Sequence, residues 1–308
     1  MGENGALECV ACSAPTSFKG RGVQAPWIAE LAADGDKPPK TELHACTHCG
    51  CLFFWPRMSE QLMDSLYGNY RQQEYKEVRK RWEPWYRDSV NDATAPGTAT
   101  TADRIAFLEQ LLDQFEISPL NLVVDFGGDM GQFFPTKARL KFLIDPSKRS
   151  LVEGVERISS WTELPQAPDL VLAAHVLEHV NDPAGLLSEV RQVIPPGGYL
   201  YVEVPQDAPR LRSWHASKRY GLWIERLRRH RALLILVDFY TGVCRNFGFR
   251  VPRLGLVKQS EHINYFGRDS LERLLTSTGF RVIGSREDRN FRAGGLKMGR
   301  LGVLAVAA

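Results

Sequence analysis

Leu122-Val123-Val124-Asp125-Phe126-Gly127-Gly128-Asp129-Met130-Gly131, answered by Asp145 further along, decides the fold of this chain. An apolar strand that runs into a glycine-dense turn lets backbone N–H groups approach a ligand closely. An acidic side chain near the end of the next strand can take the two hydroxyls of a ribose. Together they imply a nucleoside-bearing cofactor. The turn alone would be weak evidence, because three glycines in seven residues also serve ordinary tight turns.

The residues that follow supply the context. Leu170 to Ala174 is an uninterrupted apolar run, as expected of a parallel strand covered on both faces. After His175-Val176-Leu177-Glu178-His179-Val180-Asn181, Asp182 is a good N-cap with Pro183 at the first helical position. Leu186, Leu187, Val190 and Val193 then recur at helical spacing. Pro195-Pro196-Gly197-Gly198 stops that helix, and Tyr199 to Val204 reads as the next strand. A helix beginning at Arg268 or Asp269 and ended by Gly279, a strand from Phe280 to Ile283, and a last strand from Leu301 to Val306 complete the plan.

With these motifs in place the sequence resembles the class I S-adenosylmethionine-dependent methyltransferases over roughly residues 101–308. In that family the first strand ends close to Asp-x-Gly-x-Gly-x-Gly, the second on an acidic residue, and the fourth in a segment like His175 to Pro183. The resemblance implies an α/β, Rossmann-like, seven-stranded and mostly parallel sheet with a terminal antiparallel hairpin. It also implies a cofactor site built from Asp125, Gly127, Gly128, Asp129, Gly131, Asp145, Ala174 and His175. Two departures stand out. Asp129 occupies the place of the usual middle glycine. The crossovers after the first and second strands, from Gln132 and from Ser147, are so short that their helices must be trimmed.

Five of the six cysteines lie in the first 51 residues. Cys9-Val-Ala-Cys12 and Cys46-Thr-His-Cys49, with Gly50 behind the second pair, set four thiolates for a tetrahedral structural zinc. Disulfides or a redox dithiol are the competing reading, but neither a secretory context nor a thioredoxin-like pattern surrounds them. His44, His48 and Cys51 are substitute ligands that the site does not need. Cys244 reads as a buried packing residue. A ribbon of this size has too little core to fold without its metal.

The expected organisation is a zinc ribbon over residues 1–60, an aromatic connector and linker over 61–100, and the methyltransferase domain over 101–308. A basic helical insert at 206–261 interrupts that domain. The connector carries Tyr67, Tyr70, Tyr75, Trp82, Trp85 and Tyr86, read as docking on the catalytic domain or closing over its ligands, and Asn91 to Thr101 reads as the linker. The insert holds twelve basic and four acidic residues, a net of +8 in a chain whose total is +3. Such a field favours an anionic partner: a nucleotide-linked or lipid-linked sugar, a membrane surface or RNA. Nothing at the first residues resembles a leader peptide and no apolar run is long enough to span a membrane, so a cytoplasmic protein is expected.

Methyl transfer from a sulfonium donor is an in-line displacement, so alignment supplies much of the rate. A hydroxyl acceptor also needs a base. His175 is one candidate. His262, in a His-x-x-Tyr-Phe segment that resembles related sugar and small-molecule methyltransferases, is the other. Either could instead orient its loop by hydrogen bonds. The ribbon-plus-methyltransferase arrangement resembles enzymes of bacterial polysaccharide and natural-product pathways. O-methylation of a sugar or glycan is expected, since the sequence lacks the further C-terminal domain of the nucleotide-sugar C-methyltransferases. An RNA methyltransferase is less expected, because the charge is mild and no Asn/Asp-Pro-Pro-aromatic motif follows the fourth strand. A non-catalytic cofactor-binding module is the remaining alternative.

Overall fold

The computed structural model describes residues 7–31, 37–68, 72–88, 92–293 and 296–308. Tyr70, Asn91 and the first residues, on which parts of the connector, linker and leader readings fall, lie outside them. The chain forms two compact units. One comprises residues up to Asp88 other than 10–12, together with Asp207–Tyr265; the other comprises Val10–Cys12, Ser89–Gln206 and Phe266–Ala308.

The second unit carries the sheet that the glycine turn predicts. Its strands are β4 (Leu120–Phe126), β5 (Ala138–Ile144), β6 (Glu156–Arg157), β7 (Leu170–Ala174), β8 (Tyr199–Pro205), β11 (Phe280–Asp288) and β14 (Arg300–Ala307). They lie in the order β11-β14-β8-β7-β4-β5-β6. The pairs among β8, β7, β4, β5 and β6 are parallel, and β14 runs antiparallel to both β8 and β11. This is the predicted Rossmann-like sheet with its antiparallel hairpin. Helix α4 (Ala99–Gln114) is capped by Thr98, whose side chain accepts from the Thr101 N–H. Its Leu108, Leu111 and Leu112 pack with Leu120, Val123, Leu170 and Leu172 of the strands. Helices α5 (Pro183–Val193) and α8 (Arg268–Ser277) bury Leu187, Val190, Leu271, Leu274 and Leu275. Asp182 caps α5 by accepting from the Gly185 N–H at 2.8 Å, with Pro183 at the first position as the sequence predicts. Residues 127–137 and 145–155 contain no helix, so both crossovers are loops, and Phe134 of the first fills part of the sheet face.

The first unit is built on a five-stranded sheet. The middle three strands, β1 (Thr16–Gln24), β2 (Lys40–Cys46) and β3 (Leu52–Trp55), form an antiparallel ribbon. Both outer strands come from about 200 residues later. β9 (Lys258–Gln259) pairs in parallel with β1, and β10 (Asn264–Tyr265) pairs antiparallel to β3. Between β3 and those strands the unit holds α2 (Glu60–Gly68), α3 (Gln73–Trp82), α6 (Lys218–Arg229) and α7 (Arg231–Asn246), with the short α1 (Pro26–Leu31) after β1. Val23, Leu43 and Phe54 of the ribbon share one core with Tyr220, Ile224, Leu227, Leu234 and Val237 of α6 and α7. The segment expected as an insert in the methyltransferase domain therefore groups with the ribbon, and it gives the ribbon the hydrophobic core that its own length cannot supply.

The aromatic connector also has its place here. Tyr75, Val78 and Tyr86 are buried with Trp27, Met58, Leu66 and Ile263. The Arg79 guanidinium lies over the rings of Trp27, Tyr75 and Tyr86 at 4.9, 5.7 and 4.4 Å, and its Nε donates to Glu83 at 2.8 Å. Glu83 in turn accepts from Lys258 at 2.7 Å, and Lys258 donates to Asp238 at 2.6 Å. Burial would raise the Glu83 carboxyl, but Lys258 and Arg79 outweigh it and hold the group at about 2. These aromatics thus pack around buried charge pairs. Cys244, expected in the core, is only half-buried, because it lies on the partly exposed side of α7.

Candidate functional site

The carboxyl ends of β4, β5, β7 and β8 meet at one edge of the sheet, where open α/β folds place their ligands. Asp125 and the glycine turn close β4, Asp145 follows β5, Ala174 and His175 end β7, and Glu203 lies beside Ala174 on β8. The structure thus brings together every residue predicted to hold the cofactor.

Asp125 is fully buried, and both of its carboxylate oxygens lack a hydrogen-bond partner among the described residues. Burial pushes its carboxyl up to about 7, against the pull of Arg104 and with added repulsion from Asp145 and Asp129. The carboxylate lies against Gly128: a Cβ there would meet Oδ2 at 2.0 Å, so any other residue would have to displace it. Gly127, at φ 76°, donates its N–H to the Ile144 carbonyl at 2.8 Å and ties the turn to β5. A buried carboxylate without a hydrogen-bond partner among the described residues suits a cationic hydrogen-bond donor from a ligand.

Asp129 takes the left-handed conformation at φ 58°, which aspartate tolerates better than most residues. Its N–H donates to Asp145 Oδ2 at 2.9 Å, while Asp145 Oδ1 accepts from the Ser147 N–H at 2.7 Å. Its side chain pairs with Arg149 at 2.5 Å and accepts from the Ser147 hydroxyl at 3.3 Å. The substitution therefore braces the glycine turn against the loop after β5. Asp129→Gly should change donor affinity less than threefold, about 0.6 kcal/mol, in calorimetric titration.

His175 is held on both sides. Nδ1 lies 3.0 Å from Glu178 Oε1 and Nε2 lies 3.0 Å from Glu203 Oε1, and its backbone sits at φ 61°. Burial and Arg104 both push its pKa down, yet the hydrogen bonds to the two carboxylates win and raise it. Glu203 also accepts from Arg104 at 2.7 Å and from the Tyr201 hydroxyl at 2.8 Å, and despite burial these partners hold it far below the ordinary carboxylate range. Such an imidazolium locks the β7 and β8 ends together. Above its raised pKa the clamp weakens, so its contribution to stability is full below about 6.5 and is lost as pH rises through the folded value. A histidine NMR titration should place the His175 midpoint above 6.5; a midpoint below that would remove the clamp from the account.

His262 belongs to the first unit. Its Nδ1 lies 3.0 Å from Asp207 Oδ2, and Tyr265 donates to its carbonyl at 3.3 Å. Burial alone would raise Asp207, but the facing imidazole and Arg245 hold it at about 2. A carboxylate partner that fixes one ring nitrogen is the arrangement of a supported general base.

Sequence reasoning missed Arg104 and Glu203. Their signals were there: Glu203 interrupts the apolar run Tyr199 to Val204, and Arg104 falls on the buried stripe of α4 with Thr101, Leu108 and Leu111. It also missed Gln132, which accepts from the Met130 N–H at 3.1 Å and donates to the Thr94 carbonyl at 3.2 Å, pinning the segment before α4 to the glycine turn. Trp161 stacks on Phe126 with ring centroids 5.7 Å apart and 6° between the planes. A cleft of about 320 Å³ between Glu116, Pro119, Asp169 and Tyr199 opens at the amino ends of the strands, away from this edge.

In the N-terminal ribbon, ligand atoms of Cys9, Cys12, Cys46 and Cys49 all lie within 4.8 Å of one another. Tetrahedral thiolates at 2.3 Å from zinc stand about 3.8 Å apart, and the Cys9 and Cys49 sulfurs are at 3.6 Å. The N–H groups of His48 and Cys49 both donate to Cys46 Sγ at 3.3 Å, which stabilises a thiolate. The donor set fits zinc. His44, His48 and Cys51 stand outside the cluster. Elemental analysis should give one zinc per chain, lost in Cys46→Ala. Chelation should lower Tm yet leave most far-UV dichroism, because Val23, Leu43 and Phe54 keep their core with α6 and α7.

Residues 100–284 match the model of the methyltransferase domain family, more than half of the chain, so the protein belongs to that family. It is a methyltransferase of the S-adenosylmethionine-dependent class. No curated protein sequence matches the chain. Among solved structures it is similar to the N-methyltransferase NodS of Bradyrhizobium japonicum WM9 in complex with S-adenosyl-L-homocysteine, at 12% identity over 71% of this chain and 96% of that one, TM-score 0.41. It is also similar to the 1,6-didemethyltoxoflavin-N1-methyltransferase of Burkholderia thailandensis, at 16% identity over 68% and 79%, TM-score 0.41. A third is the magnesium protoporphyrin IX methyltransferase of Synechocystis PCC 6803, at 11% identity over 82% and 99%, TM-score 0.44. Likenesses this distant carry nothing about the acceptor.

Proposed function

We propose that the chain transfers a methyl group from S-adenosylmethionine to a hydroxyl of a sugar or glycan borne on an anionic carrier, as a nucleotide-linked or lipid-linked acceptor. The observation that carries the donor half is the buried, unpartnered Asp125 carboxylate against Gly128. When bound, S-adenosylmethionine supplies a methyl group already activated by its sulfonium charge. The residues then have distinct tasks. Asp125 neutralises and orients the ammonium of the donor, Asp145 takes the ribose hydroxyls, and the 127–131 turn sets the backbone path between them. His175, bound at both nitrogens, is assigned to holding the β7 and β8 ends in place. His262, with its ring fixed by Asp207, is assigned to accepting the acceptor hydroxyl's proton.

The excess of +8 in residues 206–261 supports an anionic acceptor. The test is incubation of the zinc-loaded protein with labelled donor and panels of nucleotide sugars, lipid-linked sugars and ribosomal RNA. Label in a sugar hydroxyl ether, lost in His262→Ala with donor binding intact, is the expected result. Label in RNA alone would overturn the glycan reading.

A further inference from the structure

Helix α7 is apolar on two faces. Leu234 and Val237 are buried in the first unit's core, while Leu236, Phe239, Tyr240, Val243 and, just past the helix end, Phe247 remain exposed, Leu236 at 63% and Phe247 at 73%. The spacing 236, 240, 243, 247 is that of one stripe along a helix, about 16 Å long at 1.5 Å per residue. Phe249, Leu254 and Leu222 of α6 add further large apolar side chains in water. Single exposed apolar residues are ordinary, but a run of this kind marks a surface that another body covers.

The charges in the same segment identify that body. Every fully exposed charged side chain between 206 and 261 is basic, among them Arg219, Arg226, Arg229, Arg250 and Arg253. The four acids are half-buried or buried, and each already faces a partner in this unit: Asp207 faces His262, Glu225 faces Lys40 and Arg228, Asp238 faces Lys258, and Glu261 faces Tyr75 and Arg79. The exposed charge of this segment is consequently all positive. A second copy of the chain would set like charges against one another. RNA would match the charge but leave Leu222, Leu236, Val243 and Leu254 without an apolar environment. An anionic lipid bilayer matches both, with acyl chains for the stripe and phosphate for the arginines. Among the described residues no helix is long and apolar enough to cross a membrane, so the contact lies in the plane of the surface.

We propose that α7, with the exposed apolar residues of α6 and the 247–254 turn, docks this protein peripherally on an anionic membrane. Such docking does not require the acceptor to be lipid-linked.

The purified zinc-loaded chain is sedimented with vesicles of phosphatidylcholine, with and without half phosphatidylglycerol, at low and high salt. The expected result is capture by the anionic vesicles only, weakened by salt. At least a tenfold loss is expected in Leu236→Asp/Phe247→Asp and, separately, in Arg250→Glu/Arg253→Glu. All four residues are exposed, and unchanged thermal melting and donor binding would show that the variants fold. No capture by anionic vesicles at low salt overturns the proposal. So does capture that survives the apolar substitutions, since that would be charge attraction alone. Concentration-dependent self-association abolished by Leu236→Asp/Phe247→Asp would instead assign the stripe to a second copy.

Discussion

Gly128→Ala will bind S-adenosylmethionine at least a hundredfold more weakly than the native chain, about 2.7 kcal/mol, in calorimetric titration. The added Cβ would stand 2.0 Å from Asp125 Oδ2 and 2.8 Å from Oδ1, so the carboxylate would have to turn away from the position in which it meets the donor's ammonium. The same site makes a proton-linked prediction. The Asp125 carboxyl is raised to about 7 in the folded protein, against about 3.9 when unfolded. Its contribution to stability is therefore full below about 3.9 and is lost as pH rises to about 7, a cost on the order of 4 kcal/mol at neutral pH. A bound ammonium favours the ionised form and offsets that cost. Donor affinity should rise between pH 5 and 7, with proton release detected as a dependence of the binding enthalpy on buffer. Affinity independent of pH in that window would remove Asp125 from the donor site.

The second large effect is on stability. Arg104→Leu leaves Glu203, 1% exposed, without its guanidinium partner at 2.7 Å, and it also removes the cation over the Phe133 ring at 3.7 Å. Breaking one side of a buried ion pair costs about 3–5 kcal/mol. Among the described residues the carboxylate keeps Tyr201 and His175, so the loss should be smaller at low pH, where Glu203 can protonate. Denaturant melts of Arg104→Leu and of Arg104→Leu/Glu203→Leu make the check. The double variant should recover part of the loss, because removing both charges lifts the burial penalty; equal losses would mean that the pair acts only through packing.

The Rossmann half of the chain was legible because its signals are local. The Asp182 cap, the Pro183 start, the Pro-Pro-Gly-Gly stop and the glycine turn each act within a few residues, and each sits where its chemistry predicts. The partnership between ribbon and insert was not legible. Its links are the pairing of Lys258-Gln259 with β1 and of Asn264-Tyr265 with β3, strands of two residues that offer no alternation to read. Buried charges were missed for a related reason. In sequence Arg104, Lys258 and Glu203 look like solvated side chains, and only long-range pairing makes them interior. Asp129 could be flagged from the motif, but its role depends on Arg149, twenty positions away.

The two edges of the ribbon sheet are closed by β9 and β10, which leave the ribosome only after the whole stretch from Ser89 to Gln206 has been made. During that interval Val23, Leu43 and Phe54 have no α6 or α7 to cover them, and the ribbon's edge strands stand open. Four thiolates gathered on zinc would be the early contact available to it. In the finished protein a zinc on these thiolates would share the burden with a hydrophobic core; on the nascent chain it would hold the ribbon in register until its partners arrive.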